Sequence, residues 1–396
     1  MQFQKWKPCL EVIVMHDLSK VEIWTGNQAI AEAAILSRPE VIAAYPITPS
    51  TPIIETLSKA VETGRLRAEF IPVESEHSAM AGVIGGATAG ARVFTATSSQ
   101  GLLYMMEMIY WAGYGRLPIV IGLVNRALAP GWSIWVDHQD AYSMRDAGWI
   151  QLFAKNNQEA YDLTIQAFKV AENHDVYMPA AVNIDGFVLS HVAGQVKPLD
   201  QRTVDDFLPP LNPIFKLDPK DPVSFGALTL PDDYKLLRQD LLDSMERAKT
   251  IITKVSQEWA DLTGRNWGDL IEVYGDENAD LAIVAMGTIA EEAEEAVDLL
   301  KSKGKSAAVL RIRSFRPFPS EKVAHLARNF GKLMVIDRGF SFGSQPPLVS
   351  EIRNSLYMNR VSVPVYSRPM GYGGKDVAFH EIAEVAEEVL MEEEEW

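Results

Sequence analysis

Apolar residues along the chain occur alternately in short continuous runs and at helical spacing. Residues 29–36 lie at helical spacing after Asn27, the predicted N-cap, and the continuous run 41–45 predicts a buried strand. The same alternation predicts helices at 51–61, 75–90, 102–112 and 157–171 and strands at 69–73, 92–97, 117–124 and 179–184. Strands that alternate with helices of roughly 10–15 residues indicate a parallel sheet covered by helices on both faces.

Residues 196–232 interrupt this alternation because prolines recur through them and apolar periodicity is weak. Dense prolines oppose regular helix and sheet pairing, so we expect a connector, followed by a long amphipathic packing helix from Leu237 to Trp259. A second α/β unit follows, with strands predicted at 281–286, 307–312, 333–336 and 361–365 and helices at 291–302, 320–330, 347–356 and 377–391. The predicted organisation is an N-terminal extension at 1–24 with one short strand in its first 20 residues, a first domain at 25–195, the connector and long helix at 196–275, and a second domain at 276–396.

Composition and charge narrow the class of protein. The chain has 396 residues, 47% hydrophobic and 23% charged, which is typical of about two or three globular domains and excludes collagen, coiled coil and wholesale disorder. A net charge of −16 disfavours nucleic-acid and anionic-membrane partners, because phosphate binding needs clustered positive charge. The apolar runs are shorter than the ~20 residues of a membrane helix, and no signal-peptide pattern is present. We therefore expect a cytoplasmic protein without membrane or nucleic-acid partners.

The common self-contained catalytic motifs are missing from the sequence. Cys9 is the single cysteine, so the chain cannot form an internal disulfide or supply the thiolates of an iron–sulfur cluster or zinc site. No GxGxxG after a strand, GxxxxGK[ST], HExxH or GxSxG motif occurs, and the histidines lack metal-ligand spacing. We therefore expect no metal site in this chain, and any iron–sulfur cluster would belong to another chain.

The loop after the first predicted strand carries candidate chemistry, because parallel sheets bind ligands at the carboxyl ends of their strands. This loop reads YPITPSTP (45–52), and its three prolines restrict the backbone while Thr48 presents a hydroxyl group. The alternative is a proline-rich helix start with Ser50 or Thr51 as N-cap.

Two further loops follow predicted strands. Glu74 and Glu76 lie where a strand meets a helix of small residues, and helix capping by these carboxylates is the alternative to a catalytic role. The segment 125–145 is a long aromatic and polar loop, which is costly to order without a ligand or partner.

Together these loops resemble the α subunit of pyruvate:ferredoxin oxidoreductase and its 2-oxoacid:acceptor oxidoreductase relatives. The resemblance rests on YPITPSTP (45–52), EFIPVESEHSA (69–79), GARVFTATSSQGL (90–102), GRLPIVIG (115–122), NRAL (125–128), DHQD (137–140), RDAGWIQLF (145–153), NNQEA (156–160), AMGT (285–288), RSFRPFP (313–319) and GYGGKDV (371–377). These motifs occur in one order between about residues 25 and 390, which makes the set more specific than any single motif.

The resemblance implies a thiamine-diphosphate enzyme of anaerobic metabolism that converts a 2-oxoacid and coenzyme A to acyl-CoA and CO2 and passes electrons to iron–sulfur clusters. The implied fold is α/β, with a thiamine pyrimidine-binding parallel-sheet domain followed by a transketolase-C-terminal-like domain. Partner subunits of β, γ and δ type would hold the diphosphate with Mg2+ and the clusters. Ferredoxin or a flavin/NAD module would accept the electrons, with any FAD or NAD on a further subunit. This division agrees with the single cysteine and the absence of a phosphate-binding motif.

The resemblance also implies roles for individual residues. Glu76 matches the glutamate that binds N1′ of the aminopyrimidine and favours the imino tautomer that deprotonates thiamine C2, with Glu74 as the neighbouring alternative. Thr48 and Arg126 match positions that face the substrate carboxylate and the reactive carbon. The implied cofactor-binding residues are Pro46, Ile47, Thr48, Glu76 and Gln100, and the implied substrate loop contains Arg126, Trp132, Asp137 and His138.

One departure from the family pattern leaves the substrate open. Pyruvate-specific members commonly read NRALSAP followed by an aliphatic residue before IW, whereas this chain reads NRALAPGWSIW at 125–135. The added indole of Trp132 could stack on an aromatic substrate. The expected substrate is therefore either pyruvate or a bulkier 2-oxoacid such as phenylglyoxylate, which would give benzoyl-CoA; branched-chain and indolyl 2-oxoacids are further alternatives.

Two other functions remain open at this point. A transketolase-like enzyme without electron transfer would need a diphosphate-binding GDG-type element, which the chain lacks. A non-catalytic scaffold subunit is the second alternative, and the joint presence of Thr48, Glu76 and Arg126 argues against it.

Overall fold

The structure is a computed structural model that describes residues 21–392. The short strand expected within residues 1–20 lies outside the described residues. The strands are β1 (Glu22–Thr25), β2 (Val41–Ala44), β3 (Glu69–Pro72), β4 (Val93–Thr97), β5 (Val120–Asn125), β6 (Ile150–Phe153), β7 (Ala180–Asp185), β8 (Ala193–Val196), β9 (Ile271–Gly275), β10 (Leu281–Ala285), β11 (Ala307–Ile312), β12 (Ser314–Arg316), β13 (Lys332–Val335) and β14 (Val365–Ser367). The helices are α1 (Gly26–Ser37), α2 (Thr51–Glu62), α3 (Glu76–Thr88), α4 (Ser99–Tyr104), α5 (Met106–Tyr114), α6 (Gln139–Ser143), α7 (Asn157–Ala171), α8 (Gln201–Phe207), α9 (Pro231–Thr263), α10 (Thr288–Ser302), α11 (Ser320–Ala327), α12 (Pro347–Met358) and α13 (Phe379–Met391), with a short 3-10 turn at Tyr372–Gly374.

The first sheet has the strand order β12-β6-β7-β5-β4-β2-β3 within the described residues. Its neighbouring strands run parallel except for β12, which pairs antiparallel with β6. Strands β4, β5 and β7 are buried along their whole length. Continuous apolar burial of this kind is typical of a parallel sheet with both faces covered, so the predicted α/β architecture is confirmed.

Several local predictions for this sheet were wrong. The N-cap of α1 is Thr25, whose hydroxyl accepts from the backbone N–H of Gln28 at 3.2 Å, and not Asn27. The Asn27 side chain instead donates to the carbonyl of Pro49 at 2.8 Å. The helix predicted at 102–112 is two helices, α4 and α5, which meet at Met105. Strand β6 was not predicted, although the four residues IQLF are fully buried.

The second sheet has the order β14-β13-β10-β11-β9, with β9 antiparallel at one edge. The strand predicted at 361–365 lies instead at Val365–Ser367. The connector also differs from the prediction, because residues 201–207 form α8 after the N-cap Asp200, whose carboxylate accepts from the Thr203 N–H at 3.0 Å. The long helix begins at Pro231, where a proline is tolerated because the first helical N–H needs no partner.

The two sheets are physically joined. Strand β12 follows β11 of the second sheet along the chain, yet it pairs with β6 of the first sheet. Two buried arginines near the end of β11, Arg311 and Arg313, also reach Glu159 on α7. The domain limits drawn from the sequence stay a prediction. Within residues 21–392, no helix combines the length and the apolar character needed to span a bilayer.

Candidate active site

Four parallel strands of the first sheet, β2, β4, β5 and β7, end at the same edge, and a polar loop follows each of them. The loop after β2 contacts the loop after β5, because the Arg126 guanidinium donates to the carbonyl of Thr48 at 2.6 Å. The loop after β7 contacts β5, because the Gly186 N–H donates to the carbonyl of Asn125 at 3.0 Å. These loops together form the candidate cleft.

Glu76 lies at the first position of α3, and its side chain points inward. Only 7% of Glu76 is exposed, and its carboxylate has no hydrogen-bond or ion-pair partner among residues 21–392. A Cβ built on Gly101 would lie 2.7 Å from Glu76 Oε1 and 2.5 Å from Thr97 Oγ1. The carboxylate therefore lies against the backbone of α4, where a larger residue than glycine would collide with it.

Glu74, the alternative carboxylate, is in a different environment. It is exposed, and it accepts a hydrogen bond from the Ser78 hydroxyl, which lowers the pKa of Glu74. The N-cap of α3 is Ser75, whose hydroxyl accepts from the Ser78 N–H at 3.2 Å. Ser75, supported by Glu74, therefore caps α3, and the Glu76 side chain takes no part in this cap.

The proline-rich loop is anchored through its backbone and presents its side chains. The carbonyls of Thr48 and Pro49 accept from Arg126 and from Asn27, respectively. Ser50 occupies the N-cap position of α2 but makes no capping hydrogen bond; its hydroxyl donates to the Ile47 carbonyl at 2.8 Å. The side chains of Pro46 and Thr48 are exposed and that of Ile47 is half-buried, so these predicted cofactor contacts line an open surface.

Arg126 lies directly after β5 and is 5% exposed. Burial lowers the pKa of Arg126, and the nearby carboxylate of Asp140 partly offsets this effect. Among the described residues, Arg126 Nε has no hydrogen-bond partner. The Trp132 ring lies 5.9 Å from the guanidinium and is 80% exposed. One nitrogen of this buried cation therefore has no partner among the described residues, and the exposed ring of Trp132 lies beside the guanidinium.

Gln100 connects the start of α4 to the same loop. Its amide donates to the carbonyl of Ala129 at 3.2 Å, and its carbonyl accepts from the Ser99 hydroxyl at 2.6 Å. Ser99 has a φ of 49°, which is uncommon for a residue with a side chain. This unusual turn brings Gly101 and Gln100 to the cleft.

The structure places Asp137 and His138 where the two sheets meet. His138 is 1% exposed, and its Nε2 lies 2.8 Å from Asp185 Oδ1. Asp185 also accepts from Arg338 at 2.9 Å and from the Thr288 hydroxyl at 2.5 Å. Burial alone would raise the pKa of Asp185, but Arg338 and His138 hold it well below its usual value. Asp137 is buried, which raises its pKa.

Sequence reasoning did not identify several residues of this arrangement. Asp140, Asp185, Thr288 and Arg338 were not expected to contribute, although Asp140 and Thr288 fall within the DHQD and AMGT motifs. Their partners lie far away in the sequence, 153 positions in the case of Asp185 and Arg338, so spacing carries no signal. In residues 21–392, no three His, Cys, Asp or Glu side chains are arranged to hold a metal ion.

The chain is similar in sequence to two family models and to named relatives. The family model described as pyruvate flavodoxin/ferredoxin oxidoreductase, thiamine diphosphate-binding, matches residues 32–257, and the model of pyruvate:ferredoxin oxidoreductase core domain II matches residues 279–382. Ketoisovalerate oxidoreductase subunit VorA from Pyrococcus horikoshii is 42% identical over 369 residues, which is 93% of either chain. Pyruvate synthase subunit PorA from Methanothermobacter thermautotrophicus is 43% identical over 365 residues, 92% of this chain and 94% of the relative.

A solved structure is also similar. It is 2-oxoglutarate:ferredoxin oxidoreductase from Magnetococcus marinus with 2-oxoglutarate, coenzyme A and succinyl-CoA bound. The TM-score is 0.74 at 18% identity, and the match covers 94% of this chain and 65% of that chain. At this identity the likeness establishes a shared fold.

Proposed function

The chain belongs to the pyruvate flavodoxin/ferredoxin oxidoreductase family, and from this premise we propose that it is the α subunit of a thiamine-diphosphate-dependent 2-oxoacid:ferredoxin oxidoreductase. In the proposed reaction, a 2-oxoacid and coenzyme A give acyl-CoA, CO2, a proton and two electrons, and the electrons pass to iron–sulfur clusters of partner subunits. Residues 25–195 would provide the coenzyme cleft, and residues 276–396 would form the second α/β domain.

The observation that carries this proposal is the carboxylate of Glu76, which lies on a side chain only 7% exposed and has no partner among residues 21–392. The hydroxyls of Thr97 and Ser98, just before α4, are fully buried and have no partner among the described residues, and Thr97 Oγ1 lies near Gly101 together with Glu76. Buried polar groups are normally hydrogen-bonded, so this group of orphaned atoms fits a polar aromatic ring seated against Gly101. Thiamine diphosphate supplies the nucleophile and the electron sink for decarboxylation when it is bound. Glu76 would hold a proton between its carboxylate and ring nitrogen N1′, while Pro46, Ile47, Thr48 and Gln100 would line the cleft.

A matched pair of variants tests this role. Glu76→Gln keeps the size of the side chain but removes its basicity, so kcat should fall by about 10²–10⁴-fold, the usual contribution of a positioned acid–base group. Glu74→Gln is the control, because Glu74 is exposed and its carboxylate bonds to Ser78 and to its own backbone, away from Gly101; it should retain near wild-type activity. Both complexes should assemble normally. Full activity of Glu76→Gln would refute the proposed role, and a catalytically silent scaffold would leave both variants unchanged.

For the substrate, Arg126 is the proposed carboxylate-binding residue, since a buried guanidinium whose Nε has no partner within residues 21–392 suits a carboxylate. Trp132 is exposed and lies over Arg126, so it is placed to contact the substrate side chain. Relatives are named for ketoisovalerate and for pyruvate, and phenylglyoxylate remains the aromatic candidate. Steady-state kcat/KM for these three acids would identify the substrate. An acid that does not fit the pocket should have a kcat/KM lower than that of the true substrate by tens-fold or more.

The proposed partner subunits would bind the diphosphate group of the coenzyme with Mg2+, hold the iron–sulfur clusters and pass the electrons to ferredoxin. This division is supported by the single cysteine of the whole sequence, which cannot ligate a cluster. It is supported also by exposed apolar side chains on α4, next to Gly101 in the sequence, a surface suited to another chain; these are Leu103 and Tyr104. Mass spectrometry and iron analysis of the native complex test this. Flavin absorbance would indicate a flavin/NAD module, and a colourless complex without iron would favour a transketolase-like enzyme.

A further inference from the structure

Asp140 lies beneath the candidate cleft and is fully buried. Its carboxylate accepts four hydrogen bonds. Oδ2 accepts from the backbone N–H groups of Ser99 and Arg126, both at 3.0 Å. Oδ1 accepts from the Asn125 side-chain amide at 3.0 Å and from the N–H of Ala141 at 2.8 Å. One side chain therefore connects the end of β5 to the turn that follows β4.

These two backbone positions belong to different loops of the candidate cleft, and Asp140 Oδ2 accepts from both. Ser99 lies two residues before Gly101, which contacts Glu76, and Arg126 carries the proposed substrate-binding guanidinium. The φ of 49° at Ser99 is sustained by its bond to Asp140 and by its hydroxyl, which contacts the Ala127 carbonyl at 2.7 Å. Without Asp140, two buried N–H groups would lose their acceptor, and an unpaired buried donor is costly.

We propose that Asp140 is a positioning residue that orients Arg126 toward the carboxylate of the 2-oxoacid and holds the α4 turn in register with it. This inference rests on the proposed function, in which Arg126 binds the substrate.

The hydrogen-bond pattern requires a carboxylate at this position. Each of the two oxygens of Asp140 accepts from two donors. An asparagine amide has only one acceptor oxygen, and its NH2 group would face two donors in either orientation. Burial raises the pKa of Asp140 to about 6, which still leaves the group mostly ionised at pH 7. Its negative charge therefore also opposes the burial penalty of the neighbouring Arg126.

The test compares Asp140→Asn with Asp162→Asn in the assembled complex. Asp162, on α7, is an equally buried carboxylate that accepts hydrogen bonds from Arg265 and Trp267. Asp140→Asn should raise KM for the 2-oxoacid about tenfold or more while kcat falls less and KM for coenzyme A changes less than about twofold. Asp162→Asn should affect thermal stability but leave KM for the 2-oxoacid unchanged. Hydrogen–deuterium exchange should also be faster at the Ser99 and Arg126 amides in Asp140→Asn alone.

Each outcome separates the two claims. A wild-type KM and unchanged exchange in Asp140→Asn would overturn the positioning role, even if Glu76→Gln is inactive as proposed. If Glu76→Gln is fully active, the proposed function fails, whereas the exchange result still reports on Asp140. Should Asp140→Asn fail to assemble, Asn125→Ala removes the side-chain donor and leaves the backbone donors of Asp140 in place. The inference then predicts a KM about threefold higher, and an unchanged KM would overturn it.

Discussion

Glu159→Gln is expected to weaken the junction of the two α/β units strongly. The Glu159 carboxylate is fully buried and accepts from Arg311 at 2.5 and 3.0 Å and from Arg313 at 2.8 Å. It also accepts from the N–H of Lys155 at 2.9 Å. Glu159→Gln removes the negative charge and places an NH2 donor against these donors. Two buried arginines would then lose their shared counter-charge, although Arg311 also contacts Glu272.

The structure sets the size of this effect. Burial alone would raise the pKa of Glu159, but Arg311 and Arg313 lower it to about 2. A shift of roughly two units from the unfolded value is equivalent to ~3 kcal/mol, and removing one partner of a buried ion pair costs ~3–5 kcal/mol. With an unfolding entropy of about 2.1 cal/mol/K per residue over 396 residues, Tm should fall by about 4–6 °C if the chain unfolds as one unit.

Thermal and urea unfolding measure this loss, with Glu272→Gln as the control. Glu272 contacts the same Arg311 and also Lys155, but its side chain is 20% exposed, so its loss should cost clearly less. Because the folded pKa of Glu159 is depressed, its contribution is complete above the unfolded pKa and is lost as the pH falls toward about 2. The difference between wild type and Glu159→Gln should therefore be constant above about pH 5 and about half as large at pH 3. Equal losses in the two variants, or a difference that does not depend on pH, would refute the reasoning.

Three further predictions follow from the same structure. Gly101→Ala should abolish activity and cost about 1–3 kcal/mol of stability, because its Cβ would lie 2.5 Å from the buried Thr97 Oγ1 and 2.7 Å from Glu76 Oε1. Gly85→Ala, with open space around it, should remain active, and a fully active Gly101→Ala would contradict the cleft geometry. Trp132→Ala should shift Tm by less than about 1 °C. It should lower kcat/KM for phenylglyoxylate about tenfold relative to kcat/KM for pyruvate, and an equal effect on both acids would argue that Trp132 does not contact the substrate. Asp185→Asn should destabilise the protein by ~3 kcal/mol at pH 7 in urea unfolding. Because the pKa of Asp185 is depressed in the folded state, its ionised form is stabilising, and the loss should shrink below about pH 4. An unchanged free energy of unfolding would show that the contacts of Asp185 with Arg338 and His138 do not stabilise the fold.

The buried strands and the polar loops could be predicted from the sequence, because both depend on local pattern. The continuous runs at 117–124 and 179–184 became β5 and β7, and their burial follows directly from their composition. Strand β12 could not be found this way, since three residues carry no periodicity and its pairing with β6 depends on the whole fold. The N-cap at Thr25 was missed because Thr and Asn are both good caps, and only the Asn27–Pro49 contact decides between them.

In the candidate site, too, the contacts between distant parts of the chain could not be predicted from local sequence pattern. The motifs containing Glu76, Thr48 and Arg126 could be identified, but the choice between Glu74 and Glu76 as the inward-facing carboxylate needs the position of Gly101. The buried partners of Asp140 and Glu159 could not be predicted, because their contacts join elements distant in sequence; Glu159 and Arg311 are 152 positions apart.

A cryo-EM map of the assembled complex with thiamine diphosphate is the most direct test of the coenzyme cleft. We expect density for the aminopyrimidine against Gly101, with Glu76 within hydrogen-bond distance of a ring nitrogen and the diphosphate held by another subunit. An aminopyrimidine bound elsewhere, with the cleft between Thr48 and Glu76 empty, would contradict the account.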